Sequence, residues 1–439
     1  MIHFPWGIPG ALMALGVFLT VGFFTPTSRR RELFALMLGL LLLAVLTSWG
    51  RRIPWTRDID GNFLLTIPAL LVFSSLLQRT GIAGFLAVKA VKLTQGRALP
   101  LLFLTSLGPF GLSIFLGSGP AMALFLPVTF FLAAELEISA APFLTSHLMA
   151  AGAGSLFSAV GSSSSLILSS GLGITYTQYL FTLWPYALAV LLVSLLLFPL
   201  VWGRDFHVAN HRKARVLDYD ARLVLSDPAL LTRTLIILIF VTGLFILSSQ
   251  FRWGLALPAW LGVSLLLFSS PQKDLFQEVF TEAKLAYLLG FIFLSEVLNL
   301  TGATEALGQV WVGLNHTPAG FWLTLVVSAL VASLTNPAPL MLAAVPTLKA
   351  SFAVLGLPPS SWTHAPQALQ LWLPLVFGGT LGSGVLWGGI FAAPLARAKH
   401  TQVQLTPHTL GTSVLVAGLQ LATVGLVFMF LGTGQVRPS

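Results

Sequence analysis

The 439-residue chain has no cysteine and little charge: charged residues make up 8% of it, whereas hydrophobic residues make up 56%. Soluble proteins carry about 25% charged residues, so this composition excludes a soluble enzyme, a nucleic-acid-binding module and a disordered chain. The lack of cysteine excludes disulfides, thiolate metal sites and cysteine nucleophiles. Long apolar runs recur along the chain, and each is long enough to cross the hydrocarbon core as a helix. The sequence therefore predicts an all-α polytopic membrane protein.

The net charge is +9, and this surplus is interpreted as a topology signal, because Lys and Arg hold cytoplasmic loops at the anionic leaflet. No nucleic-acid partner is expected. The first residues, Met1 to Trp6, have no basic segment, so the run that follows is interpreted as a membrane span and not as a cleaved signal. Uninterrupted apolar runs predict spans near residues 8–24, 33–49, 62–78, 179–202, 231–249, 253–270, 284–300 and 408–432.

Four further regions are apolar but interrupted by residues that end or break helices. Unpaired backbone groups inside a bilayer cost several kcal/mol each, so such breaks persist only where protein shields them or where they line a polar cavity. Region 98–134 contains Gly117-Ser118-Gly119-Pro120, and region 142–175 contains Gly161-Ser162-Ser163-Ser164-Ser165. Region 319–350 contains Thr335-Asn336-Pro337-Ala338-Pro339, and region 366–396 contains Gly378-Gly379-Thr380-Leu381-Gly382-Ser383-Gly384.

The two halves of the chain share landmarks at a nearly constant offset in residue number, which predicts an internal duplication. Repeat 1 is assigned to residues 1–202, a cytoplasmic linker to 203–230 and repeat 2 to 231–439. The matched landmarks are Thr80-Gly81 with Thr301-Gly302, Pro120 with Pro339, Pro127 with Pro346, and Gly161-Ser162 with Gly382-Ser383.

The predicted topology follows from interpreting residues 98–134 and 319–350 as re-entrant hairpins. Each repeat then crosses the membrane five times, and an odd number of crossings makes the repeats inverted. Of the 23 Lys and Arg residues, this arrangement places 17 on one face and 6 on the other. The richer face is therefore expected to be cytoplasmic, in the cell inner membrane, with both termini outside.

Paired breaks at equivalent positions of inverted repeats indicate the binding site of a transporter. A broken helix offers N–H groups that attract anions and carbonyl groups that attract cations, and the serine run adds hydroxyls that donate and accept hydrogen bonds. Serines also cap helix ends, which is the alternative explanation for this run. The candidate substrate- or ion-binding residues are Gly117, Ser118, Gly161, Ser162, Ser163, Ser164, Ser165, Thr335, Asn336, Thr380, Gly382 and Ser383.

In the order of hairpin, broken helix and duplication, the chain resembles the ion transporter superfamily, which includes divalent-anion/sodium symporters, arsenite permeases and citrate permeases. The serine run falls where relatives have a Gly-Asn/Asp-Pro-Pro-Asn stretch, and Asn336-Pro337-Ala338-Pro339 resembles the hairpin tip of arsenite permeases. The resemblance implies a homodimer that works by an elevator motion, with the substrate bound between hairpin tips and broken helices.

The sequence departs from this pattern in its lack of acidic residues at the breaks. Both hairpin tips lack one, and Thr380 stands where several relatives carry Asp. A neutral, hydroxyl-lined pocket favours a small anion, such as a dicarboxylate or an inorganic oxyanion. No cofactor is expected beyond Na⁺ or H⁺ as a coupling ion, and sodium would use carbonyl and hydroxyl oxygens of the same segments.

Three alternatives remain at this point. The resemblance of the second hairpin tip favours a proton-driven metalloid or anion efflux permease of the arsenite permease type. A channel is a second alternative. An intramembrane enzyme is disfavoured, because the spans contain no HExxH, no Gly-x-Ser-x-Gly with a plausible partner and no paired acids.

Two single residues have both a functional and a structural interpretation. Glu296 is the one carboxylate well inside a predicted span, and intramembrane acids are often functional, but Asn299 nearby is a simple polar partner. His147 precedes the serine run, where a proton relay is conceivable; a hydrogen-bonded structural histidine is the favoured interpretation.

Overall fold

The computed structural model describes residues 61–136, 139–202, 224–251, 253–269, 303–315, 317–334, 337–382 and 407–433. Predicted spans 8–24, 33–49 and 284–300, together with Glu296, Thr335, Asn336 and Ser383, lie outside this part. The regular structure within it is helical. Its first-half α-helices are α1 (Gly61–Thr80), α2 (Ile82–Thr94), α3 (Ala98–Leu116), α4 (Ser118–Leu136), α5 (Ala140–Phe157), α6 (Ser163–Leu172) and α7 (Tyr176–Trp202).

The second half of the chain has the same kind of elements. Its described α-helices are α8 (Pro228–Phe251), α9 (Ala256–Ser269), α10 (Ala303–Asn315), α11 (Pro318–Leu334), α12 (Pro337–Val354), α13 (Pro366–Leu381) and α14 (Pro407–Thr433), with a short 3₁₀ turn at Pro359–Ser361. Five of these helices begin with proline. Proline suits the first helical position because its missing N–H would have no intrahelical partner there.

Several of the described helices are long and apolar enough to cross a membrane. Five helices meet that description individually. The number of spans rises to as many as seven if each of two bent helix pairs is counted as one span. In the first bent pair, α1 and α2 meet at 55°, and the bend lies at Gly81, whose φ of 75° is a left-handed conformation that favours glycine. The expectation of a multi-pass helical membrane protein is confirmed.

The helix order recurs along the chain with the spacing of the sequence landmarks. In both halves a short helix is followed by a helical pair and then by a central helix, and α3 packs along α5 as α11 packs along α13. Corresponding helices start at Ile82 and Ala303, at Ala98 and Pro318, and at Ser118 and Pro337, with nearly the same offset in residue number each time. The inversion of the repeats and the re-entry of the hairpins stay predictions.

Two helices form the centre of the described bundle. Every residue from Ala141 to Leu156 of α5 is buried, and so is every residue from Leu371 to Leu381 of α13. A helix that is apolar all round is surrounded by other helices rather than placed at an edge. α5 and α13 also pack against each other, and α6 packs against both α13 and α12. The predicted breaks therefore lie where the two halves of the chain meet.

Candidate functional site

The first central helix is interrupted close to the predicted position. α5 ends at Phe157, and the backbone is extended at Ser158 and at Ser162 before α6 begins. The prediction placed the break at Gly161–Ser165, whereas Ser163, Ser164 and Ser165 form the first turn of α6. The physical reason is capping: the Ser162 hydroxyl oxygen accepts the Ser165 N–H at 2.9 Å, and serine is among the preferred residues for that role.

Glycine lets the hairpin tip approach this break. Gly117 joins α3 to α4 with φ of 91°, and a Cβ on it would lie 3.2 Å from the Gly161 carbonyl oxygen. Gly161 itself packs against the end of α5, where a Cβ would clash with the Ser155 carbonyl oxygen. Ser118, the first residue of α4, is buried beside the tip. The structure thus brings the first hairpin tip and the first break together.

A chain of hydroxyl groups links the break to the second half of the protein. The Tyr179 hydroxyl donates to the Ser165 hydroxyl at 2.6 Å, and the Ser165 and Ser162 hydroxyl oxygens are 2.7 Å apart. The Ser162 and Thr380 hydroxyl oxygens are 3.1 Å apart. In each of these two contacts of Ser162 either hydroxyl can donate, because a hydroxyl group carries one proton and also accepts hydrogen bonds.

Ser164 differs from its neighbours, because its hydroxyl is buried and finds no hydrogen-bond partner among the described residues. It faces Gly379 of α13, where a Cβ would lie 2.9 Å from the Ser164 hydroxyl oxygen and 2.5 Å from Met341 Cε. An unpaired buried hydroxyl costs about 1–3 kcal/mol. Ser164 is therefore a buried donor and acceptor without a described partner, and it lies against residue 379 at a distance that only glycine allows.

Helix ends set the electrostatics around Ser164. At the start of α6, the Ser163 and Ser164 N–H groups lack intrahelical acceptors and carry the partial positive charge of the helix N-terminus. The C-terminal ends of α5 and α13 present carbonyl groups with partial negative charge. No acidic residue occurs in the segments 117–120, 158–165 or 378–384. The arrangement offers hydroxyl and N–H donors to an anion and carbonyl oxygens to a cation.

The second predicted break does not begin within Gly378–Leu381. α13 continues through Gly378, Gly379, Thr380 and Leu381 as a regular helix, and Gly382 is its C-terminal cap with helical φ and ψ. The glycine run was interpreted as an interruption, but its first part lets helices approach closely. A Cβ on Gly382 would clash with the Ala329 carbonyl oxygen of α11.

The structure brings several of the predicted site residues together. Those it brings together are Gly117, Gly161, Ser162, Ser164, Ser165 and Thr380, with Ser118 and Ser163 next to them in the chain. Sequence reasoning missed Tyr179 and the role of Gly379. A tyrosine on the following helix carries no local signal, because it reaches Ser165 only through the packing of α7 on the break.

His147 lies on α5, away from the hydroxyl chain. Its Nδ1 is 2.8 Å from the Thr129 hydroxyl oxygen of α4, and its ring packs edge-on against Phe125 and Phe143. The Thr129 hydroxyl also donates to the Phe125 carbonyl oxygen at 2.9 Å. The contact with Thr129 is of the kind that the structural interpretation expects, whereas the buried Nε2 has no hydrogen-bond partner among the described residues.

Comparison with known proteins indicates the same class of protein as the sequence, a membrane transporter. The sequence model of the citrate transporter family matches residues 13–369. A 46 kDa membrane protein of Mycobacterium leprae is 25% identical over 433 residues, covering 96% of this chain and 99% of its own. An uncharacterized transporter of Mycobacterium tuberculosis is 23% identical over 424 residues, covering 95% and 98%.

A solved structure shares the fold. The crystal structure of the YdaH transporter of Alcanivorax borkumensis superposes with a TM-score of 0.56 at 15% identity, covering 93% of this chain and 99% of that one. The predicted resemblance to citrate permeases and their superfamily is confirmed, as is the expectation of a membrane transporter rather than an enzyme.

Proposed function

The chain belongs to the citrate transporter family, and from this premise we propose that it is a secondary active transporter of a small anion, a dicarboxylate or an inorganic oxyanion. The observation that carries the proposal is the buried, unpartnered Ser164 hydroxyl at the start of α6. A ligand bound there would accept hydrogen bonds from the Ser164 hydroxyl and from the first N–H groups of α6. Both are donors, and helix N-termini favour negative charge.

The lack of acidic residues in the three site segments supports an anion over a proton exchanged at a carboxylate. A carboxylate beside Ser164 would repel an anionic ligand, whereas neutral hydroxyl groups do not. Thr380 illustrates this difference, because it contributes a neutral hydroxyl to the Ser162 contact. The substrate is thus held by dipoles and hydrogen bonds instead of a full counter-charge.

Sodium is the coupling ion that the site fits best. The carbonyl groups at the C-terminal ends of α5 and α13 lie at the same junction as the hydroxyl chain, and such ends attract cations. Carbonyl and hydroxyl oxygens are suitable ligands for a hard cation. In this proposal Na⁺ binds beside the anion and offsets its charge, while proton coupling is the second option.

The wider architecture of the proposal follows the predicted topology. Two inverted repeats, each with a re-entrant hairpin and a broken helix, would carry the site across the inner membrane by an elevator motion within a homodimer. Both termini would lie outside. The nearly constant offset between corresponding helices supports the duplication on which this arrangement depends.

A second candidate function is proton-driven efflux of a metalloid or another anion. The observation that favours it is the Asn336-Pro337-Ala338-Pro339 sequence at the second hairpin, which resembles the arsenite permease tip. Under this alternative, transport would depend on pH and not on sodium.

The test is solute uptake into proteoliposomes that contain the purified protein. Dicarboxylates, citrate, inorganic oxyanions and arsenite are supplied in turn, with an inward sodium gradient, a proton gradient or neither. We expect saturable uptake of one anion, driven by the sodium gradient. Arsenite transport driven only by protons would establish the alternative, and non-saturating flux would indicate a channel. A thermal-shift panel with the same solutes, with and without sodium, identifies the anion first.

A further inference from the structure

An apolar groove of about 470 Å³ lies between α2, α3 and α8, with Phe125 of α4 at its base. Its volume falls in the range of pockets that hold small molecules, roughly 300–1,000 Å³. The residues along it are mainly leucine, isoleucine, alanine and glycine, and several face outward: Leu93 is 75% exposed and Ile239 is 72% exposed. In a membrane protein, an apolar groove that the described helices leave open is suited to a lipid acyl chain.

The described lining has one cationic side chain, Lys89 of α2. Its ammonium group lies 4.7 Å from the centre of the Phe85 ring, so its position is fixed by a contact that leaves its hydrogen-bond donors available. Lys92 and Arg97 are exposed further along the same segment. The groove thus combines an apolar lining with one exposed cationic side chain, Lys89, which lies between Leu86 and Leu93 of α2.

Two glycines of α3 give the groove its shape. Gly108 faces inward, where a Cβ would clash with Phe125 Cζ, so it lets that ring pack against α3. Gly111 faces open space, since a Cβ on it would meet no atom within 4 Å. The open stretch over Gly111 is therefore room that the described part of the protein does not fill.

We propose that this groove binds one anionic phospholipid, with an acyl chain over Gly111 and the phosphate at Lys89. Charge complementarity selects this occupant, because basic pockets between membrane helices bind anionic head groups and the rest of the groove is apolar. The lipid would lie between α8 and α2, the short helix that follows the 55° bend after α1. It is a site apart from the break at Ser162–Ser165, and its test does not depend on the transported solute.

The test uses native mass spectrometry of the full chain in detergent, titrated with phosphatidylglycerol or phosphatidylcholine of identical acyl chains. One Lys near an anionic lipid contributes on the order of 1 kcal/mol, which corresponds to about a five-fold difference in affinity. We expect the first phosphatidylglycerol to bind about five-fold more tightly than the first phosphatidylcholine. Equal affinity of the two lipids would overturn the proposal.

Two variants locate the site. Lys89→Gln is expected to abolish the difference between the lipids, whereas Lys89→Arg keeps it and shows that the fold tolerates a change there. Lys349→Gln, at an exposed lysine of α12, is the control and keeps the wild-type preference. A preference that survives in Lys89→Gln would overturn the proposal.

Gly111→Leu fills the groove and is expected to weaken the binding of both lipids by at least several-fold. Gly418→Leu is its matched control, because Gly418 of α14 also has no atom within 4 Å of a Cβ and lies outside the groove. The melting temperature of each variant without lipid reports whether it is folded. Wild-type lipid binding in a folded Gly111→Leu protein would place the lipid elsewhere and overturn the proposal.

Discussion

The two central helices meet at the same junction but contribute to it in different ways. On the first-half side, the break between α5 and α6 supplies hydroxyl groups from Ser162, Ser164 and Ser165. On the second-half side, α13 supplies Thr380 and otherwise glycine. Among the described residues, the first-half side thus provides most of the hydroxyl groups, and Gly379 lets α13 pack closely against Ser164.

The glycines of α13 themselves divide into two roles. A Cβ on Gly378 would clash with the Ser328 hydroxyl oxygen, and one on Gly382 would clash with the Ala329 carbonyl oxygen, so both hold α13 close to α11. Gly379 instead faces Ser164 and Met341. The same residue type thus lets α13 pack closely against α11 on one side and against Ser164 of α6 and Met341 of α12 on the other.

Gly379→Ala should have the largest effect, because it overpacks the close contact of α13 with Ser164 and Met341. The added methyl group would lie 2.9 Å from the Ser164 hydroxyl oxygen, and overpacking costs about 1–3 kcal/mol. Because the bound state bears that cost, the uptake rate at low substrate concentration is expected to drop roughly five- to 150-fold. Initial uptake rates in proteoliposomes measure the change.

Gly152→Ala is the matched control for this substitution. Gly152 belongs to the other central helix, and its Cβ would make an ordinary 3.6 Å contact with Leu381 Cδ2. Its uptake should stay within about two-fold of wild type, since a contact at that distance needs no rearrangement. Equal losses in the two variants would mean that Gly379 has no special role.

Ser162→Ala should have an intermediate effect, because this hydroxyl both caps α6 and contacts Thr380. Loss of a serine cap costs about 1 kcal/mol, and the melting temperature in detergent should fall, with a moderate loss of uptake. Ser162→Thr keeps the hydroxyl and should restore both.

The contact with Thr380 is isolated by a double-mutant cycle. Thr380→Val removes the hydroxyl at nearly constant shape, and the cycle with Ser162→Ala should give a coupling of about 0.5–1.5 kcal/mol. A coupling of zero would show that the two halves of the chain do not interact through these hydroxyls.

Tyr179→Phe should have the smallest effect, confined to stability. It removes the hydrogen bond to Ser165 but keeps the ring near Trp372, 6.3 Å between ring centres. One hydrogen bond contributes about 1 kcal/mol, so a slightly lower melting temperature with nearly unchanged uptake is expected. Tyr186→Phe is the comparison, because Tyr186 packs on Phe377 of the same central helix α13. A large loss of uptake in Tyr179→Phe would give this hydroxyl a direct part in transport.

The class of fold and the region of the first helix break could be predicted from the sequence because they depend on local features. Apolar length predicts membrane helices, and a serine run beside Gly161 indicates a helix end. The predicted extent of the break was wrong, because Ser162 caps α6 and Ser163–Ser165 are therefore helical. Helix continuity through Gly378–Leu381 was also missed, since close packing on α11 stabilises a glycine run that local propensity disfavours.

The residues that contact the break could not be predicted from the sequence, for a related reason. Tyr179 reaches Ser165, and Gly379 reaches Ser164, only through the packing of separate helices. The unpartnered hydroxyl in the serine run is likewise visible only when the surrounding helices are in place.

The central claim is that the Ser164 hydroxyl binds the transported anion. The most direct measurement is the affinity of Ser164→Ala for the anion that most stabilises the wild-type protein, by isothermal titration in detergent with sodium present. The control is Ser169→Ala, on the same helix, whose hydroxyl donates to the Leu166 carbonyl oxygen. Ser164→Ala should bind about ten-fold more weakly, as loss of one buried hydrogen bond predicts, without a lower melting temperature. Wild-type affinity in Ser164→Ala would contradict the claim.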